Sequence, residues 1–178
     1  HLSTDFVFDG TKQSPYLPTD TPKPLNVYGQ TKLQGEHYIK QYSSAFYIVR
    51  TAWVYSNFGH NFLKTMLRLA ENNSAINVVA DQQGSPTHAL DLALGIRRII
   101  ECNSHRFGIY NFTNQGLCSW ADFAKAIFKL YNKKTVVNSI TTASYRTAAR
   151  RPQYSKLNTT TFEQTFDFVI PNWETSLQ

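Results

Sequence analysis

Tyr28 and Lys32 are the residues of this sequence best suited to acid–base chemistry. They are four positions apart, so on a helix they share one face with their Cβ atoms roughly 5–6 Å apart. A phenol is a weak acid with a reference pKa of about 10, and a neighbouring ammonium favours its ionised form. The pair could therefore exchange a proton with a carbonyl oxygen. Among ten tyrosines this spacing also arises by chance, and a solvated Lys beside a partly buried Tyr is the plainer alternative.

Thr4 and Asp5 form a second polar group, within an apolar segment at the start of the chain. Residues 1–8 are predicted to form a strand because aromatic and β-branched residues favour an extended backbone, and Asp9 and Gly10 end it. Ligands of open α/β sheets bind at the carboxyl ends of strands, where a threonine hydroxyl can donate to a substrate carbonyl. Asp5 has a plainer alternative, in which it only turns the chain.

The rest of the pattern predicts alternating helices and strands. Asn26 is a suitable N-cap for a helix to about Tyr42, with Leu33, His37 and Ile39 or Lys40 near one face. Four prolines keep residues 11–26 irregular. Further helices are predicted at 61–71, 90–101 and 119–131, and strands at 46–54, 76–80, 108–113 and 136–140. A strand–helix–strand order indicates a parallel sheet with helices on its faces, which makes the chain α/β.

Composition narrows the class of protein. A chain of 178 residues fits a single unit, and no apolar run approaches the roughly 20 residues that cross a bilayer. The net charge is +6, but the basic residues are dispersed, which argues against nucleic acid and allows an acidic small ligand. Cys102 and Cys118 are interpreted as reduced thiols, so we expect a cytoplasmic protein without a metal site. Because His1 already lies in an apolar segment, we expect the sequence to be part of a longer polypeptide.

Several segments occur in an order that identifies a family: LSTDFVFDG, PLNVYGQTKLQGE, IVRTAWVYS and DQQGSPT, then more loosely CSWADFAKAIF and residues 149–158. Together they resemble the dTDP-4-dehydrorhamnose reductase group of extended short-chain dehydrogenase/reductases, with its RmlD-like substrate-binding domain. The resemblance implies the C-terminal part of a Rossmann-like fold, a parallel sheet flanked by helices plus a smaller substrate-binding region. Residues 1–55 would complete the sheet and residues 56–178 would mainly bind substrate. The glycine-rich dinucleotide-binding half would precede His1.

The resemblance also implies roles for individual residues. Thr4 would bind the keto oxygen and Tyr28 would protonate it. Lys32 would favour loss of the Tyr28 proton and hold the nicotinamide ribose of NADPH or NADH. Asp5 and Trp53 would contact the sugar, although Trp53 on an apolar strand could equally belong to the core.

Three further residues are candidates for binding phosphate. The guanidinium groups of Arg150 and Arg151 suit a diphosphate, and a solvated pair is the alternative. Asn61 opens a predicted helix, where it could hold a phosphate or only cap the helix. Some relatives use acidic residues for a magnesium-bridged dimer, but around Thr87 to Asp91 the sequence has only Asp91, so magnesium is not predicted and a homodimer stays open.

The function predicted from this resemblance is reduction of the C4 keto group of dTDP-4-dehydro-β-L-rhamnose by NAD(P)H, in dTDP-rhamnose and polysaccharide biosynthesis. We expect this piece alone to be inactive. One alternative is a non-catalytic regulatory module similar to the β subunit of methionine adenosyltransferase, and another is a different nucleotide-sugar epimerase or dehydratase. Trp53 in RTAWVY favours the enzyme, but fold alone does not decide function.

Overall fold

The structure, a computed structural model, describes residues 1–145, 147 and 149–178. The strands are β1 (Leu2–Thr4), β2 (Tyr47–Thr51), β3 (Val54–Tyr55), β4 (Ala75–Val79), β5 (Gln83–Gly84), β6 (Thr87–His88), β7 (Gly108–Asn111), β8 (Cys118–Ser119) and β9 (Val136–Ile140). The helices are α1 (Val27–Tyr42), α2 (Phe62–Asn72), α3 (Ala89–Cys102), α4 (Trp120–Leu130), α5 (Thr160–Phe166) and α6 (Trp173–Leu177).

A parallel sheet of order β1-β2-β7 carries the residues predicted to do chemistry. Thr4 pairs with Thr51 in the register of β1 and β2, so the carboxyl ends of these strands lie side by side. Helix α1 packs on β1 and on the turn that follows it. The predicted α/β class and the pairing of the first two strands are therefore confirmed.

Two of the predicted strands are too long. The first ends at Thr4, because Asp5–Val7 turns into a 3₁₀ helix in which Thr4 accepts a hydrogen bond from the Phe6 N–H. The second ends at Thr51, and Trp53 has φ 51°, a left-handed conformation that no regular strand contains. The chain therefore leaves the sheet directly after both strands, which is where ligands bind in this class of fold.

The buried face of α1 differs from the predicted one. His37 and Lys40 are exposed, whereas Glu36 is fully buried. Glu36 accepts hydrogen bonds from Arg50 of β2 at 2.7 and 2.9 Å and from the Ser3 hydroxyl of β1. The periodicity of apolar residues did not predict this face, because the residue that faces the sheet is charged. Its burial depends on partners that are distant in the sequence.

A second parallel pair, β4 with β9, lies against α2 and α4. Its core is rich in aromatic side chains such as Phe123, Phe128 and Trp173. The helices predicted at 61–71, 90–101 and 119–131 are present within one or two residues, whereas α5 and α6 were not predicted. Strand β7, from the second half of the chain, also joins the sheet of β1 and β2. The division of roles at residue 55 stays a prediction. No helix in the described part of the chain is long and apolar enough to span a membrane.

Candidate active site

Four of the predicted site residues line one open cleft of about 750 Å³: Tyr28, Trp53, Arg150 and Arg151. They come from three separate parts of the chain, which the sequence alone could not bring together. The rest of the lining consists of Phe6, Leu25, Asn26, Val27, Trp120 and Ala149.

Tyr28 lies in the first turn of α1, with 55% of its surface exposed to the cleft and solvent. Its ring meets the ring of Phe6 edge to face, with centroids 5.7 Å apart. The next residue must be glycine, because a Cβ on Gly29 would lie 2.1 Å from the carbonyl oxygen of Phe6. This close approach fixes the position of the phenol beside the end of β1.

Lys32 follows one turn later on the same face of α1, as the spacing predicted. Its ammonium donates a hydrogen bond of 2.5 Å to the carbonyl oxygen of Leu2 in β1. Since an ammonium has three donors, this anchor leaves two of them available to a ligand.

Thr4 and Asp5 are buried at the carboxyl end of β1, directly before Phe6 in the cleft wall. The Thr4 hydroxyl lies 3.0 Å from Asp5 Oδ1. Burial raises the pKa of Asp5 to about 7, and the hydrogen bond from the Thr4 hydroxyl offsets that rise only in part. The structure therefore places a carboxyl group of unusual proton affinity beside the hydroxyl predicted to bind a carbonyl.

Trp53 is wedged between two neighbours. Its ring stacks on Trp120 with centroids 3.5 Å apart and an interplanar angle of 9°. On Gly84 a Cβ would lie 2.7 Å from Cε2 of Trp53, so this position also requires glycine. The indole is partly exposed in the cleft, so it combines packing with access to a ligand.

Arg150 and Arg151 are exposed at the edge of the cleft. The Asn26 side chain holds this segment, because its amide donates to the Arg150 carbonyl oxygen at 2.8 Å while its oxygen accepts from the Gly29 N–H. Sequence reasoning identified Asn26 only as a helix cap and missed this link. The side chain of Arg151 also borders an apolar cavity of about 250 Å³ against α2 and Trp120.

Asn61 lies outside this cleft. Its side-chain oxygen accepts a hydrogen bond from the Lys64 N–H, and its amide donates to the carbonyl oxygens of Ser56 and Phe58. The capping alternative therefore accounts for its contacts. Among the described residues, no group of three or more His, Cys, Asp and Glu side chains could hold a metal ion.

Comparisons with known proteins place these features in a family context. Residues 1–178 match the family model of the RmlD substrate binding domain. The dTDP-4-dehydrorhamnose reductase of Sinorhizobium fredii is 45% identical over 185 residues, covering 99% of this chain and 62% of that protein. The protein of the same name from Aggregatibacter actinomycetemcomitans is 43% identical over 188 residues, covering 100% of this chain and 64% of its own length.

A solved structure gives the same result. The crystal structure of dTDP-4-dehydrorhamnose reductase from Bacillus anthracis in complex with NADP matches with a TM-score of 0.95 and 40% identity, covering 99% of this chain and 62% of that one. The chain therefore spans less than two thirds of the length of these relatives.

Proposed function

Because the chain belongs to the RmlD substrate binding domain family, we propose that the complete protein carrying it reduces dTDP-4-dehydro-β-L-rhamnose to dTDP-β-L-rhamnose with NAD(P)H. The relatives named dTDP-4-dehydrorhamnose reductase, which match over the whole chain, support this substrate. The observation that carries the proposal is the shared cleft of Tyr28, Trp53, Arg150 and Arg151. It combines a proton donor, an aromatic sugar contact and two cations for a diphosphate.

In this proposal Tyr28 gives the proton to the C4 oxygen, since carbonyl reduction requires a proton on oxygen as well as hydride on carbon. Lys32 puts a positive charge one turn away, where it stabilises the phenolate that remains. Thr4 donates a hydrogen bond to the same oxygen and orients the carbonyl. Reprotonation of Tyr28 from solvent then completes the cycle.

The residues near the end of β1 fit a nicotinamide cofactor. Lys32 retains two donors after its bond to Leu2, and those donors suit the hydroxyls of the nicotinamide ribose. NADPH or NADH supplies the hydride when it is bound. The NADP in the related Bacillus anthracis structure supports this choice of cofactor.

The other cleft residues bind the substrate in this proposal. Arg150 and Arg151 face the diphosphate with guanidinium groups, which form paired hydrogen bonds with phosphate oxygens. Trp53 contacts the sugar, and Asp5 lies below it. We also propose a cytoplasmic location, since Cys102 and Cys118 are both free thiols and fit a reducing compartment.

The test is turnover by the complete protein with enzymatically prepared dTDP-4-dehydro-β-L-rhamnose. We expect oxidation of NADPH or NADH that depends on the keto-sugar, and dTDP-β-L-rhamnose as the product by NMR. A product with the opposite configuration at C4 would contradict the proposed reaction. A folded protein that oxidises no cofactor would favour the regulatory-module alternative.

A further inference from the structure

The hydrogen bonds of Thr4 limit what its hydroxyl can do. Its oxygen lies 3.2 Å from the Phe6 backbone nitrogen, which can only donate, and 3.0 Å from Asp5 Oδ1. An ionised carboxylate can only accept, so beside an ionised Asp5 the single Thr4 proton is held by Oδ1. That proton is then unavailable to a substrate carbonyl.

A protonated Asp5 reverses this bond. Its carboxyl O–H would donate to the Thr4 oxygen, which can accept from both Asp5 and the Phe6 N–H through its two lone pairs. The Thr4 proton is then free for another acceptor. The protonation state of Asp5 therefore decides whether Thr4 acts as a donor or is already occupied.

The surroundings of Asp5 favour the protonated form. The residue is 3% exposed, and its Oδ2 has no hydrogen-bond partner among the described residues. Removal from water penalises the charged form of a carboxyl group. That penalty raises the pKa of Asp5 to about 7, so both forms are populated near neutral pH.

The charged groups on the elements packed around Asp5 are directed elsewhere. Lys32 of α1 donates to the Leu2 carbonyl oxygen. Arg50 of β2 is paired with Glu36. In the segment after Pro152, Lys156 donates to the Ser85 hydroxyl and the Gly116 carbonyl oxygen. The other titratable side chains on these elements are Tyr28, His37, Tyr38, Lys40 and Tyr42 of α1, Tyr47 of β2, and Tyr154. Among the described residues, none of them forms a hydrogen bond with Asp5.

From this geometry we infer that protonated Asp5 is a positioning residue, which donates a hydrogen bond to Thr4 and thereby directs the Thr4 proton to the substrate carbonyl. This inference rests on the proposed function, because it needs a carbonyl to be bound beside Thr4. Asp5 acts through Thr4 and takes no part in proton transfer itself. Its loss of a proton switches Thr4 off.

The experiment compares the pH dependence of kcat for the complete protein and two Asp5 variants. For the wild type we expect kcat to fall as the pH rises through about 7, approaching tenfold per pH unit. Asp5→Asn offers a carboxamide donor to Thr4 at every pH, so this fall should disappear and any fall at higher pH should remain. Asp5→Ala has neither the carboxylate that holds the Thr4 proton nor a donor that orients the hydroxyl, so the fall near pH 7 should disappear and kcat should stay below that of Asp5→Asn at every pH. Asp167→Asn, a change at a fully exposed carboxylate, should keep the wild-type profile.

A second measurement keeps the inference testable if a variant folds poorly. NMR of side-chain ¹³C-labelled aspartate in the wild type should show one carboxyl titrating near pH 7, and Asp5→Asn should remove it. An Asp5 signal that titrates near its ordinary value of 3.8 would overturn the inference. So would an active wild type whose fall in kcat is unchanged in Asp5→Asn. A wild type that is inactive with the keto-sugar at every pH overturns the proposed function, and with it the role of Thr4.

Discussion

The floor of the cleft and its edge are built in opposite ways. What we call the floor is the buried layer behind the cleft lining, where Thr4 and Asp5 directly precede Phe6 of that lining and the fully buried pair of Glu36 and Arg50 ties α1 to the strands. At the edge, Arg151 is exposed and belongs to a segment with little regular structure. The difference suits two separate roles. A group that orients a reacting atom must be held in a fixed position, whereas a group that binds a charged ligand can stay hydrated until the ligand binds.

The largest change in stability is expected from a substitution that removes the buried ion pair of the floor. Glu36→Ala leaves the Arg50 guanidinium buried without its partner, which costs about 3–5 kcal/mol of unfolding free energy. Urea unfolding measures the loss. Glu101→Ala removes the exposed pair with Arg97 and should cost no more than about 0.5 kcal/mol. Equal losses in the two variants would show that the floor is not held by its buried pair.

A change at the edge should affect substrate binding with little effect on stability. Arg151→Ala removes a charged donor to the diphosphate, which is worth about 1.5–3 kcal/mol, so KM should rise roughly tenfold to a hundredfold with kcat nearly unchanged. Steady-state kinetics of the complete protein measures both constants. Arg97→Ala, which removes an exposed arginine on α3, is the matched control. A fall in kcat without a change in KM would contradict a binding role.

The third prediction sharpens the comparison through the pH dependence of stability, where the change within any one pH unit is small. The pKa of Asp5 is raised from 3.8 to about 7, so the stability it contributes is complete below its unfolded value and is lost as the pH rises to about 7. The Asp5→Asn variant has no titrating group at this position, so its stability does not fall in this way. The difference in unfolding free energy between variant and wild type should therefore grow by up to about 1.4 kcal/mol per pH unit within that window. A constant difference would mean that folding does not raise the pKa of Asp5.

The sequence predicted the local parts of this site. The spacing of Tyr28 and Lys32 placed them on one face of a helix, and Asn26 was recognised as its N-cap. These predictions depend on neighbours within four positions, which is the range over which helix geometry acts.

Features that depend on distant partners were missed. The buried Glu36 is interpretable only once Arg50 faces it across the sheet. The link from Asn26 to Arg150 joins residues 124 positions apart. The left-handed backbone conformation of Trp53 was not predicted, because its apolar and β-branched neighbours favour a continuing strand. At this position the chain leaves the strand, and the Trp53 ring packs against Trp120 and Gly84.

The most direct test of the proposed chemistry is kcat of Tyr28→Phe in the complete protein, with saturating keto-sugar and NADPH. This change removes one hydroxyl and keeps the ring that packs on Phe6. If Tyr28 is the proton donor, kcat should fall by about 10² to 10⁴ while KM changes little. A Tyr28→Phe protein with the kcat of the wild type would contradict the account.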